Sequence, residues 1–192
     1  MHISKIEEFV KEKFKDHPKR LIHTYGVCEM AVKLAEKFNV DKEKAYIAAL
    51  CHDICKFDSI EKQIELINDP KIIEECGNAT EIYHAYAGAN FCKKEFGFDD
   101  EIINAIRYHV MGRRNMSKLE EIIYISDYTE KNRKIDSCIK CREMLDTNYE
   151  YALYLSYKFV IDYLESIKVK VLDIQYELRD YYYKRSQLWL KA

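Results

Sequence analysis

The 192-residue sequence predicts an all-α fold, and three features support this prediction. The chain holds only five glycines and two prolines, far below the roughly 12% of average usage, so the residues that tight turns between strands require are scarce. Apolar residues recur at helical spacing along most of the chain. Capping residues stand at the start of most of these periodic segments. Together the features predict a bundle of about eight to ten helices with short connections.

The N-terminal part of the chain predicts three helices. Apolar residues form one stripe from residue 3 to about residue 15, which predicts a short amphipathic helix. Pro18 suits the first turn of a second helix that extends to about residue 38 and carries His23. Asp41 is a suitable N-cap for a third helix. That helix ends near Cys51 and delivers the next residue, His52, at its C-terminal end.

The middle of the chain is divided by further capping residues and by glycines that end helices. A looser stretch over residues 57–77 contains a short helix and Pro70. The expected helix starts are Ser59, Thr80, Asp99 and Ser117, and the expected helix ends are Gly97 and Gly112. These signals predict separate helices for His84, His109 and Asp127.

The last 45 or so residues predict one long helix, because a heptad pattern runs through them without an intervening glycine or proline. Its apolar positions are Leu153, Tyr157, Val160, Leu164, Ile167, Val171, Ile174, Leu178 and Tyr181. Thr147 and Glu150 form a capping box at its start. Two partners for this seam remain open, namely the helices of the same chain or a second copy in a homodimer.

We expect residues 1–192 to form a single domain, with a core over about residues 18–135 and a helical extension over about residues 147–192. The net charge of −2 argues against nucleic acid as a partner. No apolar run approaches the ~20 residues of a membrane helix, so no membrane partner is expected. The odd number of cysteines, seven, suits reduced thiols in a cytoplasmic protein.

Four of the six histidines and two aspartates predict a metal site. The four histidines are 29, 32 and 25 positions apart, which suits one ligand on each of several converging helices. Imidazole and carboxylate are ligands that borderline divalent ions such as Fe, Mn, Co or Zn prefer. The predicted ligands are His23, His52, Asp53, His84, His109 and Asp127. Because a carboxylate has two oxygens, Asp53 could bridge two ions.

The motifs around these residues resemble the HD-domain metal-dependent phosphohydrolases, and more narrowly the bacterial symmetrical bis(5′-nucleosyl)-tetraphosphatases. They are His23-Thr-x-Gly-Val, His52-Asp53-x-x-Lys56, His84-Ala-x-x-Gly-Ala, Ile106-Arg-Tyr-His109 with Gly112, and Asp127-Tyr-x-Glu130-x-x-Arg133. The resemblance implies a helical bundle with a centre of two iron ions, or of two other divalent transition-metal ions, that cleaves diadenosine tetraphosphate into two ADP. The chain departs from the family pattern at Lys131, where proline is expected.

A tetraphosphate carries more negative charge than two divalent ions neutralise, so we looked for cations beside the motifs. Lys56 follows Asp53 by three residues, and these two are the predicted catalytic residues. We expect Lys56, Arg113 and Arg133 to contact phosphate, Arg113 and Arg133 through two parallel hydrogen bonds. Two other functions remain open: a phosphatase for mononucleotides or another phosphoester, and a catalytically silent sensor that binds a nucleotide.

Overall fold

The structure is a computed structural model, and it describes residues 2–77 and 79–189. These residues form eleven α-helices and one short 3₁₀ helix (Thr80–Ile82), with no strand among them, which confirms the all-α prediction. The helices are α1 (Ile3–Lys13), α2 (Pro18–Lys37), α3 (Lys42–Cys51), α4 (Ile60–Ile67), α5 (Pro70–Cys76), α6 (Tyr83–Phe96), α7 (Asp100–Arg107), α8 (Lys118–Thr129), α9 (Asp136–Met144), α10 (Tyr149–Ser166) and α11 (Asp173–Trp189). None of the described helices is long and apolar enough to cross a membrane.

Most of the predicted helix starts are confirmed by side chains that cap them. In four cases the capping oxygen accepts a hydrogen bond from the backbone N–H three residues later, as an N-cap does. The four caps are Asp41, Ser59, Asp99 and Ser117. The cap of α10 differs from the expected Thr147, because Asn148 accepts the bond from the N–H of Tyr151. Its amide oxygen therefore takes the role predicted for the neighbouring hydroxyl.

The chain divides into two compact units. The first comprises the residues up to Gly112 together with Met116–Asp127, and the second comprises Arg113–Asn115 and the residues from Tyr128 onward. The single domain over residues 1–192, with its core at 18–135 and extension at 147–192, stays a prediction.

Helix α3 lies at the centre of the first unit. Its alanines and Leu50 are fully buried, since small side chains let neighbouring helices approach on every side. Helix α2 runs antiparallel to it: the thiol of Cys28 lies 3.8 Å from the carbonyl oxygen of Tyr46, while Arg20 bonds Asp53 beyond the end of α3. The start of α2 and the end of α3 therefore lie at the same end of the pair.

Two hydrogen-bonded turns follow α3 and carry the His-Asp motif. The N–H of Ile54 donates to Cys51 (3.1 Å), and the N–H of Lys56 donates to Asp53 (2.8 Å). Helix α6 lies directly against this segment at Gly88, where an added Cβ would meet Cγ2 of Ile54 at 3.3 Å. Glycine at this position therefore lets α6 bring its own histidine close to the motif.

The prediction of one long C-terminal helix is wrong, because α10 and α11 are separate helices. Lys168 adopts a left-handed conformation (φ 59°) just beyond α10. The N–H of Val169 bonds Leu164 (2.9 Å) and the N–H of Lys168 bonds Glu165 (3.0 Å), which is a Schellman motif without its usual glycine. The heptad pattern continues through the break, and no glycine or proline marks it.

The two C-terminal helices bury their apolar faces against each other. The rings of Tyr157 on α10 and Tyr182 on α11 are stacked with centroids 5.8 Å apart and planes 8° from parallel. Arg185 forms an ion pair with Glu150 at 3.1 Å across the same helix pair.

The predicted seam is buried within the chain at Leu153, Tyr157 and Leu178, whereas Ile167 and Tyr181 keep 48% and 41% of their surface exposed. The helices of the same chain therefore cover the seam only in part.

Candidate metal centre

Five elements of the first unit bring the six predicted ligands together. Helix α2 carries His23, the turn after α3 carries His52 and Asp53, and α6 carries His84 near its start. His109 lies in the turn after α7 rather than on the helix itself, and Asp127 lies near the end of α8. All six side chains converge on one cluster of nitrogen and oxygen atoms. Their role as ligands remains a prediction.

One half of the cluster is formed by His23, His52 and Asp127 around one oxygen of Asp53. Nε2 of His23 lies 3.0 Å from Oδ1 of Asp127 and 3.9 Å from Oδ2 of Asp53. Nε2 of His52 lies 3.1 Å from the same Asp53 oxygen and 3.9 Å from Asp127. We call these residues the open half, because the side chains of His23 and Asp127 keep 12% and 21% of their surface exposed.

The other half is formed by His84 and His109 around the second oxygen of Asp53. Nε2 of His84 lies 3.0 Å from Oδ1 of Asp53, and Nε2 of His109 lies 3.8 Å from it. The two Nε2 atoms are 3.3 Å apart. We call this the closed half, because its imidazoles are only 4% and 1% exposed. Asp53 therefore belongs to both halves, with one oxygen in each.

Backbone carbonyls orient two of the imidazoles toward the centre. Nδ1 of His52 lies 2.6 Å from the carbonyl of Ala49, and Nδ1 of His109 lies 2.7 Å from that of Ile106. Since a carbonyl only accepts, each Nδ1 must carry the proton, and each Nε2 is directed at the cluster. Metal-binding histidines commonly show this arrangement, with the second ring nitrogen fixed by a backbone carbonyl.

The electrostatics of the cluster favour a bound cation. Although burial opposes its charge, the neighbouring His52, together with His109 and His84, holds the pKa of Asp53 well below its usual range. Burial likewise opposes charge on His52, but Asp53 and Asp127 raise its pKa. Burial lowers the pKa of His84 to about 4, so this imidazole is neutral at neutral pH. An ionised buried carboxylate beside nitrogen donors fits a borderline divalent ion.

Two cations lie at the edge of the cluster, one predicted and one missed. Nζ of Lys56 lies 3.4 Å from Nδ1 of His84. Arg20, which the sequence reasoning missed, donates from its guanidinium to Oδ2 of Asp53 at 2.6 Å. Arg20 precedes His23 by three residues, so the two share one face of α2. That spacing is a local signal that makes Arg20 a candidate, although it does not show that its partner is Asp53.

Arg113 and Arg133 both belong to the second compact unit and are half-buried. The carbonyl of Arg133 accepts a hydrogen bond from Arg142 at 2.8 Å, within a turn that follows α8. Phosphate contacts by these two arginines remain predictions.

An all-helical fold that brings four imidazoles and two carboxylates together fits a metal-dependent hydrolase. The HD domain family model matches residues 20–132, and the chain belongs to this family. It is therefore a phosphohydrolase, as the family resemblance predicted.

Relatives of known name agree with the family model. The chain is 39% identical to the symmetrical bis(5′-nucleosyl)-tetraphosphatase of Bacillus subtilis, over 81% of this chain and 83% of the relative. It is 36% identical to the protein of the same name from Halalkalibacterium halodurans, over 85% and 88% of the two chains. A crystal structure from Clostridium acetobutylicum, described as an HD superfamily hydrolase involved in NAD metabolism, superposes with a TM-score of 0.88 at 34% identity, over 96% and 98% of the chains.

Proposed function

We propose that the protein hydrolyses diadenosine tetraphosphate to two ADP at a dinuclear metal centre. The observation that carries the dinuclear centre is the division of Asp53 between two groups of histidines, with one oxygen in each. The substrate is supported by the relatives named symmetrical bis(5′-nucleosyl)-tetraphosphatase, which align with about four fifths of the chain or more.

The two halves would each hold one ion. The open half offers His23, His52, Asp127 and Oδ2 of Asp53, and the closed half offers His84, His109 and Oδ1 of Asp53. The family resemblance favours iron as the bound metal. The donor chemistry alone, imidazole and carboxylate, also suits manganese, cobalt or zinc. When bound, such ions supply a water nucleophile at neutral pH and neutralise charge on the phosphoryl group.

The cations of the chain have separate tasks in this proposal. The ammonium of Lys56, at the edge of the closed half, supplies a point charge for a phosphate that approaches the centre. The guanidinium of Arg20 holds the Asp53 carboxylate in the orientation that directs each oxygen at its own half. Arg113 and Arg133 are proposed to bind further phosphate oxygens of the same bridge.

The position of attack decides the products. Attack of water on one of the two inner phosphorus atoms breaks the central bridge and gives two ADP, whereas attack on an outer phosphorus gives ATP and AMP. A monophosphatase would leave the dinucleotide intact and release phosphate from AMP. The name of the structural neighbour favours a second candidate, another nucleotide phosphoester of NAD metabolism.

A nucleotide panel separates these functions. Protein reconstituted separately with Fe, Mn, Co and Zn would be incubated with diadenosine tetraphosphate, AMP and NAD, and the products separated by chromatography. We expect two ADP from the dinucleotide, and in ¹⁸O-water one label on the terminal phosphate of one ADP. ATP and AMP as main products would contradict the proposed substrate position while leaving the metal centre in place. No turnover of any nucleotide by loaded protein would favour the sensor function.

Two further expectations belong to this proposal. A cytoplasmic location is supported by the cysteines of the described residues, which are all free and buried. A homodimer remains the alternative partner arrangement for surface residues of α10 and α11.

A further inference from the structure

Two stacked aromatic rings, His17 and Phe57, lie close to the centre but take no part in it. Their ring centroids are 3.6 Å apart and their planes are 11° from parallel. The ring of Phe57 also meets the buried Phe14 at 6.2 Å and a near-perpendicular angle of 88°. Phe57 nevertheless leaves 48% of its surface exposed. The pair is therefore supported by the core and still open to solvent.

Two turn hydrogen bonds and one side-chain hydrogen bond connect the ring pair to Asp53 of the centre. Phe57 follows Lys56, whose N–H closes a turn onto the carbonyl of Asp53 at 2.8 Å. His17 accepts from the N–H of Arg20 at 2.9 Å, which closes a second turn. Arg20 then bonds the Asp53 carboxylate at 2.6 Å. Each ring thus lies about one turn from a residue of the centre.

The chemistry beside the pair suits a ligand with an anionic part and a flat part. Lys56 precedes Phe57 in the chain and Arg20 follows His17 by one turn, and their cationic groups lie against His84 and Asp53 of the centre. A single exposed hydrophobic side chain needs no explanation. A parallel ring pair in which Phe57 is 48% exposed does resemble the platforms on which nucleobases stack, since every base has a π-face. Tyr86 and Tyr108 instead meet edge to face, at 6.3 Å and 82°.

We propose that the His17–Phe57 pair is the platform for one nucleobase of the substrate. The inference rests on the proposed function for the identity of the base, adenine, which would extend the stack by a third ring. Lys56 then meets the phosphates on the side toward the centre, and the base lies on the side away from it. Phe57 and His17 are binding residues that set preference for nucleotides over phosphate alone.

Binding of ADP and of inorganic diphosphate to metal-loaded protein separates the base from the phosphates. We expect Phe57→Ala and His17→Ala to weaken ADP binding about 10-fold in calorimetry, within the range of base–aromatic stacking, and to leave diphosphate binding unchanged. Phe57→Trp should retain ADP affinity and show quenching of tryptophan fluorescence with ADP but not with diphosphate. Wild type, whose only tryptophan is Trp189, is the blank for that signal.

Tyr163→Ala is the matched control, because this tyrosine on α10 is 62% exposed and has no place in the proposed site. It should bind both ligands as wild type does. Equal loss of ADP and diphosphate affinity in the two alanine variants, or no loss of either, would overturn the platform. If Phe57→Ala does not fold, the comparison of ADP binding with diphosphate binding in Phe57→Trp and His17→Ala tests the platform instead. Failure of wild type to cleave the dinucleotide would reject the proposed function. The difference between ADP and diphosphate affinity in the variants would still test the platform.

Discussion

The two halves of the metal centre share Asp53 but differ in their access to solvent. In the open half, His23 and Asp127 keep 12% and 21% of their side-chain surface exposed, whereas His84 and His109 in the closed half keep 4% and 1%. A ligand at the surface can be replaced by water or substrate more readily than a buried one. We therefore expect the open half to exchange its ion and receive the substrate, and the closed half to retain its ion.

The largest effect is expected when the residue common to both halves is removed. Asp53→Ala removes one oxygen from each half. It also removes the negative charge that both groups of histidines share. Activity should fall to background and most of the metal should be lost, while the helical circular dichroism signal stays largely intact. Metal content by mass spectrometry, near two ions per chain in wild type and near zero in the variant, checks this. A variant that keeps both ions would refute the shared role.

Single histidine variants test the difference between the halves directly. His23→Ala in the open half and His84→Ala in the closed half should each lower the metal content from about two ions to about one. In wild type, a chelator in excess should remove the ions in two phases, a fast one from the open half and a slow one from the closed half. His23→Ala should lack the fast phase and His84→Ala the slow one, measured by metal release against time. Identical release curves for the two variants would remove the distinction between the halves.

Lys56 tests whether charge at the edge of the closed half serves the substrate rather than the metal. Lys56→Ala should lower kcat/KM on the order of 10²-fold, which corresponds to one charge-assisted contact of roughly 2–3 kcal/mol. Metal content should not change, because Lys56 is not among the proposed ligands. Lys93→Ala is the matched control, since this exposed lysine of the first unit pairs only at the surface with Asp100. Loss of metal in Lys56→Ala would show that its role was misassigned.

Arg20 is the corresponding test on the open half. Removing a group that orients a metal ligand typically costs 10–100-fold in metal affinity or activity, so Arg20→Ala should weaken metal binding by about 10-fold. Arg20→Lys should recover part of the loss, since an ammonium restores the charge but not the planar donor geometry. Metal titration of the stripped protein measures both. Wild-type affinity in Arg20→Ala would mean that Asp53 is oriented without it.

The six candidate residues could be selected from the sequence because the His52-Asp53 pair, three further histidines at intervals of 25 to 32 positions and Asp127 lie in motifs that resemble those of a known family. Arg20 was missed since its role depends on α2 and α3 being antiparallel, which places residues 20 and 53 side by side. The same packing brings His17 to Phe57, a contact across 40 positions that no local pattern contains. Residue types and spacing indicate candidate ligands, but they do not indicate which distant residue orients them.

The C-terminal region shows the opposite case, where a clear local pattern gave a wrong element. The heptad spacing from Leu153 to Tyr181 is the same for one long helix and for two helices that fold back on each other. The break depends on Lys168 in a left-handed conformation, a cost of order 1–2 kcal/mol for a residue with a Cβ. Burial of the faces of α10 and α11 against each other offsets that cost. The pattern predicted the buried positions Leu153, Tyr157 and Leu178, but not the turn that divides the helices nor the exposure of Ile167 and Tyr181.

The smallest expected effect concerns the packing beneath the closed half. Gly88→Ala places a Cβ 3.3 Å from Cγ2 of Ile54, next to the turn that carries His52 and Asp53, while α6 itself carries His84. The gain in helix propensity, about 1 kcal/mol, opposes a similar or larger packing cost. We expect Tm to fall by about 2–4 °C and the slow phase of metal release to become faster.

Gly97→Ala gives the matched comparison for this last prediction. Gly97 ends α6 with φ +67°, and an added Cβ there would meet no atom of the described residues within 4 Å, so the cost is backbone strain of about 1 kcal/mol without a change in packing. A similar fall in Tm with an unchanged slow phase is expected. If both glycine variants release metal alike, general destabilisation explains the effect. If only Gly88→Ala does, the approach of α6 to the Asp53 turn is what keeps the closed half closed.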